Sequence, residues 1–156
     1  MAYIAAERAQ DRHIPTGCPF CAMREPREAD LVVHRGSFVF AVLNLHPYNP
    51  GHLMVLPYRH IGELEELSAD EAAELHDVTT RAVVMLKSVS SPDAFNIGLN
   101  LGSAAGGSLS SHLHQHVVPR WAGDANFITV IGQTKTLPQL LEDTARLLSD
   151  AWGSQA

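Results

Sequence analysis

Cysteine is almost missing from this 156-residue chain: there are two, and both fall in the unit Cys18-Pro19-Phe20-Cys21. A disulfide framework is thereby excluded, and a pair so closely spaced reads as metal binding or redox chemistry in a reducing compartment. Positive charge is scarce as well, with 11 Lys and Arg against 17 Asp and Glu, a formal charge of −6. The basic face that non-specific nucleic-acid binding requires is therefore lacking, and an anionic substrate must be held by local dipoles and histidines. Long hydrophobic runs are absent: the longest are about strand length, too short to span a bilayer. Met1 to Gln10 has neither a basic start nor an apolar stretch, so no signal peptide is expected and the chain is expected in the cytoplasm. No internal repeat and no linker divide the sequence, which predicts one domain over residues 1–156 with 1–16 as a flexible arm. What is present in excess is histidine, nine residues in all.

The patterning predicts an α+β fold with an antiparallel sheet. Three short β-rich runs, Leu31 to Arg35, Phe38 to Leu43 and His52 to Leu56, are separated by Gly36-Ser37 and by the Pro/Asn/Gly cluster from Asn44 to Gly51. Ser68 and Glu71 form a capping-box pattern, and apolar residues then recur at Leu75, Val78, Ala82, Val83, Leu86 and Val89, the period of an amphipathic helix that ends before Pro92. Strands are expected at Ala94 to Leu99 and His112 to Val118, with a further edge at Phe127 to Ile131. Thr136 and Gln139, with Pro138 in the first turn, predict a last helix through Leu140, Leu141, Ala145, Leu147 and Leu148.

Chemistry concentrates in His112-Leu113-His114-Gln115-His116-Val117-Val118. On a strand, three alternate imidazoles share one face at intervals of roughly 6 to 7 Å. A neutral imidazole attacks phosphorus well when one nitrogen keeps its lone pair and the other is fixed by a hydrogen bond. The middle ring, His114, has support on both sides. Upstream, Asn100-Leu101-Gly102-Ser103-Ala104-Ala105-Gly106-Gly107-Ser108 offers amides, hydroxyls and small residues, suited to an anion-binding concavity. The plainer readings are a histidine-rich surface strand, a metal site and an ordinary turn.

This arrangement closely resembles the histidine triad family of nucleotidyl transferases and hydrolases. The likeness runs from about Cys18 through Trp121, takes in the segment Asn44 to His60, and in His112 to Phe127 is similar to the branch with bacterial diadenosine tetraphosphate phosphorylases. The resemblance implies a homodimer, possible tetramers included, with a sheet of about five strands, a long helix and a C-terminal helix. It implies that His114 becomes nucleotidylated, that His116 and His52 support the α-phosphate pocket, that Asn44 meets the ribose, and that Asn100, Gly107 and Ser108 face the phosphates. Two departures stand out. Gln115 occupies a position that is usually apolar, and Ser108 stands where many hydrolases have Gln. Loss of that long amide is expected to admit inorganic phosphate, giving phosphorolysis of diadenosine tetraphosphate to ADP and ATP. The rivals are hydrolysis of dinucleoside polyphosphates or adenosine phosphoramidates, a nucleotide-binding module without turnover, and a purely zinc-organised structural domain.

Zinc takes four N or S ligands in a tetrahedron, of which Cys18 and Cys21 supply two. Zinc-bearing relatives complete the set with a histidine after the third strand and the first triad histidine, which implies a closed site of Cys18, Cys21, His60 and His112. A reduced thiol pair or a redox dithiol is the alternative. His13, His34 and His76 are expected to be surface or locally bonded, and His46 a loop residue. Arg120 and Trp121 are candidates for the second nucleotide or a subunit contact, and Asp124 and Asn126 have no assigned role.

Overall fold

In a computed structural model, residues 17–27, 31–106, 109–124 and 140–153 are described. Helix α1 (Pro19–Ala22) is followed by strands β1 (Val32–Arg35), β2 (Val39–Leu43) and β3 (Leu53–Pro57). Then come the long helix α2 (Ala69–Ser90), β4 (Ala94–Leu99), β5 (Gln115–Arg120) and α3 (Leu141–Gly153). The five strands form one sheet in the order β1-β2-β3-β5-β4, with every neighbouring pair antiparallel. The expected arm 1–16, the edge at 127–131 and the second capping box, Thr136 with Gln139, lie outside the described residues, as do Gly107 and Ser108.

Side-chain alternation divides the sheet into two faces. Val39, Ala41, Leu43, Leu53, Val55 and Val117 pack against Leu75, Val78, Ala82, Met85 and Leu86 of α2 and Ala145, Leu148 and Trp152 of α3. The intervening residues Phe40, Val42, Met54 and Leu56 form a second cluster with Phe20 on the other face. All of β2 and β3 is consequently buried. By contrast β4, at the sheet edge, is largely exposed.

Local chemistry sets the ends of α2. Ser68 Oγ accepts the Glu71 N–H (3.2 Å) and Glu71 Oε2 accepts the Ser68 N–H (2.8 Å), so the capping box forms as the sequence predicts. Glu71 also takes Arg59 in a fork at 2.7 and 2.6 Å, and this pairing above all holds its carboxyl down at about 2. One turn on, the Glu74 carboxylate receives the amides of Ser37, Phe38 and Val39. Burial pushes that carboxyl up, but the three donors outweigh it. Gly36 is required beside it, since a Cβ there would stand 2.7 Å from Glu74 Oε1 and 2.9 Å from the Val39 carbonyl.

The helix ends at Ser91, which is held in the left-handed region at φ 46°, ψ 54°. A side chain pays a steric penalty there that glycine does not. Ser91→Gly is expected to stabilise the chain by about 0.5 to 1 kcal/mol, raising the unfolding temperature by roughly 1 to 4 °C. A scanning calorimetry comparison checks it; an unchanged or lower temperature counts against the strain.

One expectation needs correcting. The histidine strand begins at Gln115 rather than His112, so only His116 lies on the ladder. β3 pairs with β5 from Leu53↔Val117 to Val55↔Gln115 and no further. Beyond that point the Leu113 N–H donates to the Ile61 carbonyl (2.6 Å), and the Pro57 carbonyl is taken by His112 Nε2 (2.9 Å). The segment that carries His112 and His114 is thus drawn towards the loop after β3.

Candidate active site

The site lies on the sheet face opposite α2 and α3. His114 is buried, and its Nδ1–H donates to the carbonyl of His112 at 2.8 Å. A carbonyl can only accept, so Nε2 is the nitrogen that keeps a lone pair, and it has no protein partner among the described residues. Burial pushes the imidazole below its ordinary value, against the opposing pull of the carbonyl bond. The His116 ring stands across it at 5.0 Å and 74°.

A directed chain of hydrogen bonds sets His116. The backbone N–H of Tyr48 donates to His52 Nδ1 (3.1 Å), so the His52 proton sits on Nε2, which lies 2.9 Å from His116 Nδ1. His116 accepts there and carries its own proton on Nε2, towards which the Asn100 side-chain amide, 3.5 Å away, turns its oxygen as acceptor. A lone pair on His114 and an N–H on His116 result, the combination suited to attack on phosphorus beside a developing negative charge. His52 is fully buried behind His116, with the Tyr48 ring stacked on it at 4.9 Å. The resemblance gives His52 a supporting place in the α-phosphate pocket, and the structure sets it behind His116, with its Nε2 2.9 Å from His116 Nδ1. Asn44 stands at the end of β2, its Oδ1 accepting the His46 N–H (2.9 Å) and its amide nitrogen 3.5 Å from His52 Nδ1.

Burial, with the His114 ring beside it, takes the His116 imidazole down to about 4. Above the unfolded value near 6.5 both states carry neutral imidazole. Between 6.5 and 4 the unfolded chain binds the extra proton, so stability falls as pH falls through that window. His34, also depressed by burial, adds to the same loss. Glu71 adds a second stage between its ordinary value of 4.5 and about 2. Urea midpoints measured from pH 7.5 to 3 are expected to drop from about pH 6.5 downward and again below 4.5, with the lower stage made shallower in Glu71→Gln, since Glu74 still contributes to it. A midpoint flat from pH 6.5 to 4 overturns the assignment.

Four further donors converge beside the site. Cys18 Sγ lies 3.3 Å and Cys21 Sγ 3.7 Å from His112 Nδ1, Cys21 Sγ lies 3.3 Å from His60 Nδ1, and all four donor atoms fall within 4.8 Å of one another. Zinc bonds of about 2.3 Å to sulfur and 2.0 Å to nitrogen put tetrahedral S···N edges at roughly 3.5 Å, so the donor set fits the ion. The Nε2 bond to the Pro57 carbonyl leaves His112 Nδ1 as its lone-pair nitrogen, an outer contact of the kind metal-bound histidines make. Burial, and then Cys18, push the Cys21 thiol up. A redox dithiol needs the opposite shift.

Several contributors were not legible in the sequence. Gln115, the departure beside His114, donates to Thr79 Oγ1 of α2 (2.8 Å), away from the site. Asp124 has a role after all: it takes Arg120 in a fork at 2.6 and 2.7 Å and accepts from the Asn49 amide and the Trp121 N–H, tying the loop before His52 to the end of β5. Arg120 is thereby committed within the fold, and Trp121 Nε1 donates to the Ser90 carbonyl. His34 stacks on Trp152 at 4.6 Å, and His46 and His76 are exposed. His13 and Asn126 lie outside the described residues. Phe20, between the two cysteines, packs on both His112 and His114; its place inside the Cys-x-x-Cys unit was the available signal.

The profile of the HIT domain matches residues 26–123. AP-4-A phosphorylase of Mycobacterium tuberculosis is 62% identical over 128 residues, 82% of this chain and 66% of the relative, so the chain spans about two thirds of that protein's length. The asymmetrical bis(5'-nucleosyl)-tetraphosphatase of Schizosaccharomyces pombe is 33% identical over 93 residues, 60% of this chain and 50% of the relative. Among solved structures, a zinc-bound histidine triad family protein from Mycobacterium smegmatis superposes with a TM-score of 0.71 at 26% identity, covering 89% of this chain and 95% of its own.

Proposed function

The chain belongs to the HIT domain family, and on that footing we propose that it transfers nucleotidyl groups from dinucleoside polyphosphates through a covalent intermediate on His114. The reaction is phosphorolysis of diadenosine tetraphosphate to ADP and ATP. The observation that carries this reading is the Nδ1–H bond from His114 to the His112 carbonyl at 2.8 Å, which leaves Nε2 as the nucleophile. Identity of 62% to a protein named AP-4-A phosphorylase supports the substrate.

In the first displacement Nε2 attacks an α-phosphorus: the N–P bond forms, the P–O bond to the β-phosphate breaks, and ATP leaves with the electron pair. The ring gains positive charge, which the His112 carbonyl stabilises through Nδ1–H. His116 Nε2–H donates to the phosphate oxygens as charge builds on them. In the second displacement inorganic phosphate attacks the same phosphorus, the N–P bond breaks, and ADP leaves with His114 restored. By the resemblance Asn100, Gly107 and Ser108 are assigned to the phosphates and Asn44 to the ribose, while His52 holds His116.

Cys18, Cys21, His60 and His112 hold one structural zinc, which takes no part in the displacements. The 26% identical zinc-bound relative supports this. No helix among the described residues is long and apolar enough to cross a membrane, and a thiol pair kept for a metal suits the cytoplasm. Residues 1–156 form one domain, which associates as a homodimer with its sheet continued across the interface.

A product assay with unlabelled phosphate present or omitted tests the reaction. Phosphorolysis gives equimolar ADP and ATP only with phosphate. Equal AMP release under both conditions would show the hydrolysis that the name of the Schizosaccharomyces pombe relative describes.

A further inference from the structure

We propose that Phe20 is a positioning residue through which the metal-binding knuckle sets the nucleophile, so that metal occupancy governs the rate of nucleotidyl transfer as well as the fold. The inference rests on the reading of His114 as the nucleophile and adds a part that reading does not need. Phe20 occupies the middle of α1, flanked in sequence by the two cysteine donors, with the Ala22 N–H bonded back to the Cys18 carbonyl at 3.3 Å. Its side chain is 6% exposed and seated against Phe40, Val42, Met54 and Leu56. From there the ring meets His112 edge-on (5.4 Å, 76°) and His114 at a tilt (5.3 Å, 52°).

The His112 carbonyl fixes which nitrogen of His114 keeps the lone pair. One hydrogen bond still allows the ring to swing about its own axis. Two rings limit that swing, His116 at 5.0 Å and Phe20 at 5.3 Å. The His116 wall is anchored through His52 to the backbone of Tyr48. The Phe20 wall is carried on a four-residue helix whose N-cap thiol, Cys18, and internal thiol, Cys21, converge on His112 and His60. A bound ion ties both thiols to the sheet side of the site, and with them the wall. Removing the ion frees Cys18, Cys21 and His112 together, and both constraints on His114 that originate in the knuckle, the ring and the carbonyl, loosen. A reacting atom displaced by about 1 Å loses roughly a hundredfold in rate.

The test compares wild type with Phe20→Ala, each with zinc and after chelation. Three quantities are read: zinc per chain, affinity for AMP, and the single-turnover rate of acid-quenched adduct formation from diadenosine tetraphosphate labelled at the α-phosphates. Ring resonances of His114 are followed alongside by nuclear magnetic resonance. Phe20→Ala is expected to keep about one zinc per chain and AMP affinity within threefold, while adduct formation slows tenfold or more and the His114 resonances shift. Chelation of wild type is expected to slow the adduct by a similar factor, and chelation of Phe20→Ala to add little, because the two changes break the same link. Zinc-loaded Phe20→Ala with a wild-type adduct rate overturns the proposal, as do losses that simply multiply. Should chelated protein unfold, the zinc-loaded variant decides alone. If wild type forms no adduct, the nucleotidyl-transfer reading fails separately, and unchanged His114 resonances in Phe20→Ala then overturn the coupling too.

Discussion

His114→Ala forms no covalent nucleotidyl-protein and loses roughly 10³-fold or more in turnover, while AMP affinity changes little. The expectation follows from what the residue contributes. On the proposed mechanism, loss of Nε2 leaves only direct attack of phosphate on the α-phosphorus and closes the path through two easier displacements. Removing the nucleophile of a covalent enzyme eliminates nearly all of the rate assigned to the whole catalytic group. His116→Ala should behave differently, since the adduct can still form, slowly, without its N–H donor; a loss of about 10² to 10³ is expected for one such donor. Acid-quenched labelling with steady-state kinetics on both variants separates the two roles. Full activity in His114→Ala would remove the mechanism altogether.

The second large effect concerns the fold. Cys18→Ser is expected to lose the metal and to lower the unfolding temperature by roughly 8 to 16 °C. A ligand at about a thousand times its dissociation constant stabilises the native state by about 4 kcal/mol, and a chain of this size shifts by roughly 2 to 4 °C per kcal/mol. The four donors come from distant parts of the chain: Cys18 and Cys21 precede the sheet, His60 follows β3 and His112 leads into β5. An unfolded chain rarely offers such a site, so metal-binding energy appears directly as folding energy. Metal analysis with calorimetry on wild type and variant is the measurement; wild type without zinc, or a variant that melts at the same temperature, contradicts the site.

How much was legible in the sequence depended on the range of the interaction. The capping box of Ser68 and Glu71 and the apolar spacing of α2 are local, and both hold in the structure. The five described strands follow from β-rich runs broken by Gly, Pro and Asn. Where β5 starts was not legible, because a strand stops where its partner stops bonding, and the diversion of the Pro57 carbonyl to His112 lies in the folded arrangement alone. The same holds for His52. The resemblance marked it as part of the phosphate pocket, but only the packing of β3 on β5 places it behind His116. Gln115 looked misplaced on an apolar face until Thr79 of the long helix supplied its partner. The metal set was legible through resemblance, and the geometry of its donors agrees.

The two-sided burial of β2 and β3 partitions the molecule. Val39, Ala41 and Val55 belong to one compartment and Phe40, Val42 and Met54 to the other, though they are neighbours along the chain. Along these strands each successive residue thus answers alternately to the helical scaffold and to the face that carries the histidines. Variation on the histidine side of the partition is thereby separated from the packing against the helices.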